Sequence, residues 1–180
     1  GYLARITDPN GNVIQDFSYT DKEKEDEAAG YEVTKCVDSY GGIKTYTYYP
    51  EENKTKITDE SGRLWTYWYN SDMYITDVQN PDGSMSRTEY YENAENCHYA
   101  DVKSETDEYG NVTQYSRDES GNTTKITYCD GSQVSYWYDT WNNCIAEKDE
   151  NGNYIYHYYD DRGANLLKNI RRVDGAAIDP

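Results

Sequence analysis

The chain has few of the residues that usually fill a protein core. Among 180 residues there are one Phe and two Met, against 22 Tyr and 4 Trp, and hydrophobic residues make up only 36%. With a mean hydropathy of -1.11, a compact globule around an aliphatic centre is excluded, and any core must be built largely from tyrosine rings whose hydroxyl tips stay wet or bonded. Positive charge is scarce as well. Seventeen Lys and Arg face 34 Asp and Glu, a net charge of -17, which argues against nucleic acid or an anionic membrane surface as a partner. No run approaches the roughly 20 apolar residues of a membrane-spanning helix, and Gly1 to Ile6 lacks the pattern of a signal peptide. The four cysteines, Cys36, Cys97, Cys129 and Cys144, form no C-x-x-C pair, so neither a zinc knuckle nor a thioredoxin-type centre is expected, and the thiols are expected to be dispensable for the fold. A chain 15% aromatic is also a poor candidate for disorder.

What is abundant is repetition. The tetrads Asp8-Pro9-Asn10-Gly11, Asp38-Ser39-Tyr40-Gly41, Asp59-Glu60-Ser61-Gly62, Asn80-Pro81-Asp82-Gly83, Asp107-Glu108-Tyr109-Gly110 and Asp149-Glu150-Asn151-Gly152 share the form D/N-x-x-G, with Tyr128-Cys129-Asp130-Gly131 as a variant. Gly41, Gly62 and Gly83 are 21 residues apart, as are Gly110, Gly131 and Gly152. Five residues after the turn glycines stand Tyr46, Tyr67, Thr88, Tyr115, Tyr136 and His157; seven after stand Tyr48, Tyr69, Tyr90, Arg117, Tyr138 and Tyr159. Positions two apart share one face of a strand, so these form two adjacent tyrosine columns.

One residue further on, a second turn opens, most clearly at Asp118-Glu119-Ser120-Gly121 and Asp160-Asp161-Arg162-Gly163. Each unit therefore reads as strand, turn, strand, turn. Asp or Asn at the first turn position can accept backbone N–H groups further along, and Gly supplies the positive φ. The expectation is an all-β chain of stacked antiparallel hairpins, about fourteen strands in about seven 21-residue units across residues 1–180, with insertions near 21–30 and 92–98. The first insertion holds an acidic and basic run with room for a turn or two of helix. At Asn70-Ser71-Asp72 the second turn reads as truncated.

Tyr136-Trp137-Tyr138-Asp139, Tyr158-Tyr159-Asp160-Asp161-Arg162-Gly163 and Thr58-Asp59-Glu60-Ser61-Gly62 together resemble the Y-x-Y-D-x-x-G unit of RHS/YD repeats, and the likeness extends from about Asp8 to Gly163. Arg117 and Thr88 in the tyrosine columns and Asn142 at a glycine position depart from it. The resemblance implies hairpins stacked edge to edge in a curling sheet, a segment of a hollow shell. It also implies a secreted or cell-surface setting, bacterial, in a polymorphic toxin, an insecticidal toxin complex or a teneurin-like adhesin. The partners it implies are the flanking repeats of a longer chain.

No catalytic constellation stands out, because the acidic residues recur with the turns, and no enzyme activity or cofactor is expected. His157 occupies a tyrosine-column position and reads as a packing residue. The D-x-D-x-D-G spacing of a calcium loop is absent, and no metal site is expected. The rival reading is a carbohydrate-binding repeat module, since short aromatic hairpins are a common sugar platform. Its contact residues would be Trp65, Trp68, Trp137 and Trp141. Trp68 and Trp137, six residues after a turn glycine, fall on the face opposite the tyrosine columns, and both are expected to be structural.

Overall fold

The computed structural model describes residues 3–20, 32–91, 100–163 and 165–172. The insertion at 21–30, the loop near 92–98, Cys97 and His98 lie outside the described residues. Among the described residues there are fifteen strands, and within each of two compact units neighbouring strands follow chain order and pair antiparallel. Seven hairpins give the expected fourteen, and the fifteenth is the strand that follows the last second turn.

The chain divides into two compact units, Gly1–Met85 and Ser86–Pro180. The first holds β1 (Arg5–Thr7), β2 (Val13–Tyr19), β3 (Val33–Asp38), β4 (Ile43–Tyr49), β5 (Lys54–Asp59), β6 (Leu64–Tyr69) and β7 (Ile75–Gln79). Strand β8 (Met85–Tyr90) begins at the boundary. The second unit continues with β9 (Val102–Thr106), β10 (Val112–Arg117), β11 (Thr123–Thr127), β12 (Gln133–Tyr138), β13 (Cys144–Lys148), β14 (Tyr154–Tyr159) and β15 (Leu166–Arg172). A 3-10 turn, Pro50–Glu52, joins β4 to β5. Among the described residues no helix is long and apolar enough to cross a membrane.

The D-x-x-G tetrads close every first turn in one way. At Asp107 the Gly110 N–H donates to the Asp107 carbonyl at 3.0 Å and the Asp107 N–H donates to the Asn111 carbonyl at 3.0 Å. This is a three-residue hairpin loop with a left-handed residue at its end. The carboxylate completes it. Asp107 Oδ1 accepts the N–H groups of Tyr109 and Asn111, each at 2.9 Å, and Oδ2 accepts the Asn111 side-chain amide at 2.8 Å. The same three bonds recur at Asp8 with Asn12 and at Asp149 with Asn153. In the variant turns Asp82 and Asp130, at the third position, accept Ser84 and Ser132 instead.

The second turns use this chemistry at Asp118, Asp139 and Asp160. The turn at Asn70 is complete, not truncated. Asn70 Oδ1 accepts the N–H groups of Asp72 and Tyr74 at 3.0 Å each, and Met73 occupies the glycine position with φ +67. A left-handed conformation costs a side-chain-bearing residue about 1–2 kcal/mol, and Met73 is 68% exposed and gains little from burial. Met73→Gly is expected to stabilise the chain by about 1 kcal/mol, seen as a higher melting temperature; an unchanged or lower one would show that the strain is offset.

Second turns carry one further device. The register slips by one residue just before the second tyrosine column, at Ser18/Tyr19, Trp68/Tyr69, Glu89/Tyr90, Ser116/Arg117, Trp137/Tyr138 and Tyr158/Tyr159. Each bulge interrupts the ladder locally. The carbonyls of Val33, Thr123 and Cys144, each just before the extra residue, accept the hydroxyls of Tyr48 at 2.9 Å, Tyr138 at 3.0 Å and Tyr159 at 3.1 Å. A residue with both a flat apolar body and a terminal donor is needed there, which explains why phenylalanine does not replace tyrosine in the column. Arg117 stands in this column without that bond, donating instead to the Gly121 carbonyl and Thr123 Oγ1 of its own turn and lying 3.6 Å from the Asp101 carboxylate.

Burial is shallow. Among the described residues only Cys36, Thr66, Ser104, Ala146 and Tyr156 are buried. Four of the five are small and sit under larger neighbours, so the core is a thin layer of half-covered rings on both faces.

Candidate functional site

Register places the four tryptophans. In the first unit Trp65 pairs with Ile57 and Tyr67 with Thr55, while Trp68 pairs with Lys54. Trp65 therefore shares the tyrosine face, and Trp68 lies on the other. Both are half-buried. Arg63 packs its guanidinium 5.6 Å from the Trp65 ring, and the ammoniums of Lys54 and Lys56 lie 4.6 and 5.4 Å from the Tyr49 ring. These cations already occupy the aromatic surfaces.

In the second unit Trp137 pairs with Ala146, which pairs with Tyr156, which pairs with Ile170. The adjoining row runs Ser135, Lys148, Tyr154, Arg172. The Trp137 and Tyr154 rings are 5.9 Å apart and tilted, and Tyr154 stacks on Tyr156 at 5.8 Å. Lys148 and Lys168 lie over Tyr154 and Tyr158 at 5.5 and 4.7 Å. Ala146, small and buried, lies between Trp137 and Tyr156 in this row, and Tyr154 is the ring that contacts both. Trp137 keeps 42% of its surface exposed. Trp141 is in the turn from Asp139 to Asn142 and does not join this row.

A second cluster occupies the tyrosine face of β13 and β14. His157 Nε2 is 2.6 Å from Glu147 Oε1, and Nδ1 is 2.9 Å from Asn169 Oδ1 on β15. One ligand atom each from Cys144, Glu147 and His157 lie within 4.8 Å of one another. Burial pushes the Cys144 thiol pKa up, and the Glu147 charge adds to this. His157 takes the place that Tyr115 holds in an earlier unit, where the Tyr115 hydroxyl donates to Glu105 Oε2 at 2.6 Å. That bond, with burial and the Glu105 charge behind it, pushes the Tyr115 pKa up to about 12. His157 is thus a column residue with a polar partner, and periodicity alone could not reveal that Cys144 and Glu147 stand beside it. Cys36, Cys129 and Cys144 are free thiols. No serine, histidine and carboxylate triad is assembled among the described residues.

Comparison with known proteins concerns the array. Residues 117–154 match the family model described as RHS Repeat. No curated protein sequence matches. The fold is similar to the crystal structure of TcdB2-TccC3-Cdc42, with a TM-score of 0.60 and 12% identity over 91% of this chain and 11% of that one. It is also similar to the Tc holotoxin pore of Photorhabdus luminescens, with a TM-score of 0.62 and 13% identity over 89% of this chain and 10% of that one. The crystal structure of TcdB2-TccC3 gives a TM-score of 0.58 at 12% identity. The chain spans about a tenth of the length of these proteins.

Proposed function

We propose that this chain, which carries an RHS repeat at residues 117–154, is a structural segment of a larger secreted or cell-surface repeat protein, with no catalysis of its own. Its neighbours would be flanking repeats of the same parent chain, a bacterial polymorphic toxin or adhesin. The observation that carries this reading is the uniformity of the module: strand order equal to chain order within each compact unit, with the same carboxylate-closed turn and the same bulge-capping tyrosine hydroxyl in successive repeats. The side chains that make these units alike are used up in holding backbone, which is what a wall requires. The likeness to Tc toxin structures, of which the chain spans about a tenth, supports a place within a longer wall.

A glycan-binding reading draws on one feature, the partly exposed Trp137 beside Tyr154. The two readings separate in a paired experiment, thermal melts of Trp137→Ala and Trp68→Ala alongside a glycan array on the unaltered chain. Each substitution is expected to cost about 1–3 kcal/mol through lost burial, and the array is expected to be blank. Unchanged melting together with glycan binding that depends on Trp137 would replace the scaffold with a carbohydrate module.

A further inference from the structure

We propose that Cys144, Glu147 and His157 form a binding site for a single zinc-type divalent ion, with water as the fourth ligand. The three residues come from adjacent strands joined by the turn that Asp149 closes, and their ligand atoms lie within 4.8 Å of one another in a half-buried position. A site on paired strands is held more firmly than one on a loop. The donor set is a thiolate, an imidazole and a carboxylate, which suits zinc and its neighbours and does not suit calcium or magnesium, whose ligands are oxygen.

An independent observation concerns the ring of His157. Asn169 Oδ1 faces Nδ1 at 2.9 Å, so the amide oxygen calls for the proton on Nδ1 and leaves Nε2 as the nitrogen directed at Glu147. An outer acceptor that fixes the tautomer in this way is the usual companion of a metal-binding histidine. Nε2 and Glu147 Oε1, 2.6 Å apart, are then two acceptors face to face unless a proton or a cation stands between them. The equivalent pair, Tyr115 and Glu105, has no such requirement, because the tyrosine brings its own proton. The residue that corresponds to Cys144 in the preceding unit is Thr123, so the combination of sulfur, nitrogen and carboxylate belongs to this hairpin.

The fit demands only side-chain adjustments. Tetrahedral zinc with bonds of about 2.0–2.3 Å sets neighbouring ligand atoms about 3.3–3.7 Å apart. The Glu147–His157 pair must open by somewhat under 1 Å and the wider separations must close by about 1 Å. Binding releases the Cys144 thiol proton to solvent, so affinity falls as pH is lowered.

The test uses the full chain, reduced and stripped with a chelator, titrated with Co(II) as a spectroscopic substitute and then with Zn(II). Thiolate-to-cobalt charge-transfer absorption is expected, saturating at one equivalent and lost when zinc is added. Cys144→Ser should abolish the band with the circular dichroism spectrum unchanged, since Thr123 shows that the position accepts a hydroxyl. Cys36→Ser and Cys129→Ser should keep it. His157→Gln, Glu147→Gln and Asn169→Ala should each weaken zinc binding at least about tenfold, the last through the orientation of the ring. The proposal is overturned if the folded chain gives no charge-transfer band, if the band survives Cys144→Ser or disappears in Cys36→Ser or Cys129→Ser, or if any of the other three substitutions leaves zinc affinity unchanged.

Discussion

The melting temperature of this chain is expected to fall as pH drops through the aspartate range, even though acid removes charge from a protein whose net charge is -17. The carboxyls of Asp8, Asp107 and Asp149 are held below the ordinary value of 3.8, first by the side-chain amides of Asn12, Asn111 and Asn153 and then by backbone N–H groups. Asp82 and Asp130 are lowered in the same sense by Ser84 and Ser132. In the unfolded chain these groups titrate near about 3.9. A folded-state value below the unfolded one means that the turn bonds contribute in full above about pH 4–5 and are lost as pH falls through the folded values. Relief of like-charge repulsion acts in the other direction between neutrality and about pH 5. The two effects together predict a stability maximum on the mildly acid side and a decline beyond it, since at least five turns lose a charged acceptor as they are protonated. The chain supplies its own control. Asn70 makes the corresponding turn with a neutral amide oxygen. Amide protons of Asn111 and Asn153 should shift with midpoints below the ordinary aspartate range while that of Tyr74 stays silent. A melting temperature that climbs without interruption to pH 2, or an Asn111 midpoint at the ordinary value, would remove the carboxylates from this account.

That behaviour rests on residues that the sequence displays only in part. The spacing of D-x-x-G and the two tyrosine columns was sufficient to place the hairpins, because Gly, Asp and Tyr each answer a backbone need that recurs every 21 residues. The Asn that follows three of the first turns, as in Gly110-Asn111 and Gly152-Asn153, is less regular, and its role emerges only when its amide is seen on the second carboxylate oxygen. The bulges were not legible at all. A one-residue slip in pairing leaves no mark on composition, and its trace is the tyrosine hydroxyl that caps the carbonyl beside it. The turn at Asn70 was misread because the positive φ falls on Met73, a residue that rarely adopts it. Of the tryptophans, the faces of Trp68 and Trp137 followed from alternation, whereas the row from Trp137 to Tyr156 runs through Ala146, a fact about a neighbouring strand. The cluster of Cys144, Glu147 and His157 was hidden in two ways: Glu147 and His157 meet through the pairing of β13 with β14, and the bulge opposite Trp137 and Tyr138 offsets Cys144 from the alternation that Glu147 follows.

Replacing Gly163 with Ala is expected to destabilise the chain by about 2–4 kcal/mol, more than the same change at Gly110. Both glycines close turns at positive φ, +66 and +84, so each substitution carries the left-handed penalty of about 1–2 kcal/mol. At Gly110 an added Cβ meets nothing within 4 Å, and that penalty is the whole effect. At Gly163 the Cβ would lie 2.8 Å from Trp141 Cε3 and 3.0 Å from Asn143 Nδ2. The indole must swing away, and the bond from Asn143 Nδ2 to the Gly163 carbonyl, 2.8 Å long, is pulled with it. Trp141 and Gly163 meet because consecutive second turns lie side by side. Asn122 Nδ2 likewise donates to Asn142 Oδ1 at 2.9 Å, one unit earlier. Such turn-to-turn contacts couple neighbouring hairpins that are marginal alone. A double-mutant cycle isolates the contact: with Trp141→Ala in the background, the excess cost of Gly163→Ala over Gly110→Ala should shrink to what the Asn143 contact leaves, which corresponds to a coupling energy of about 1–2 kcal/mol. Equal losses at the two glycines in the unaltered background would mean that Trp141 is held by nothing and that the second turns stack without stabilising one another.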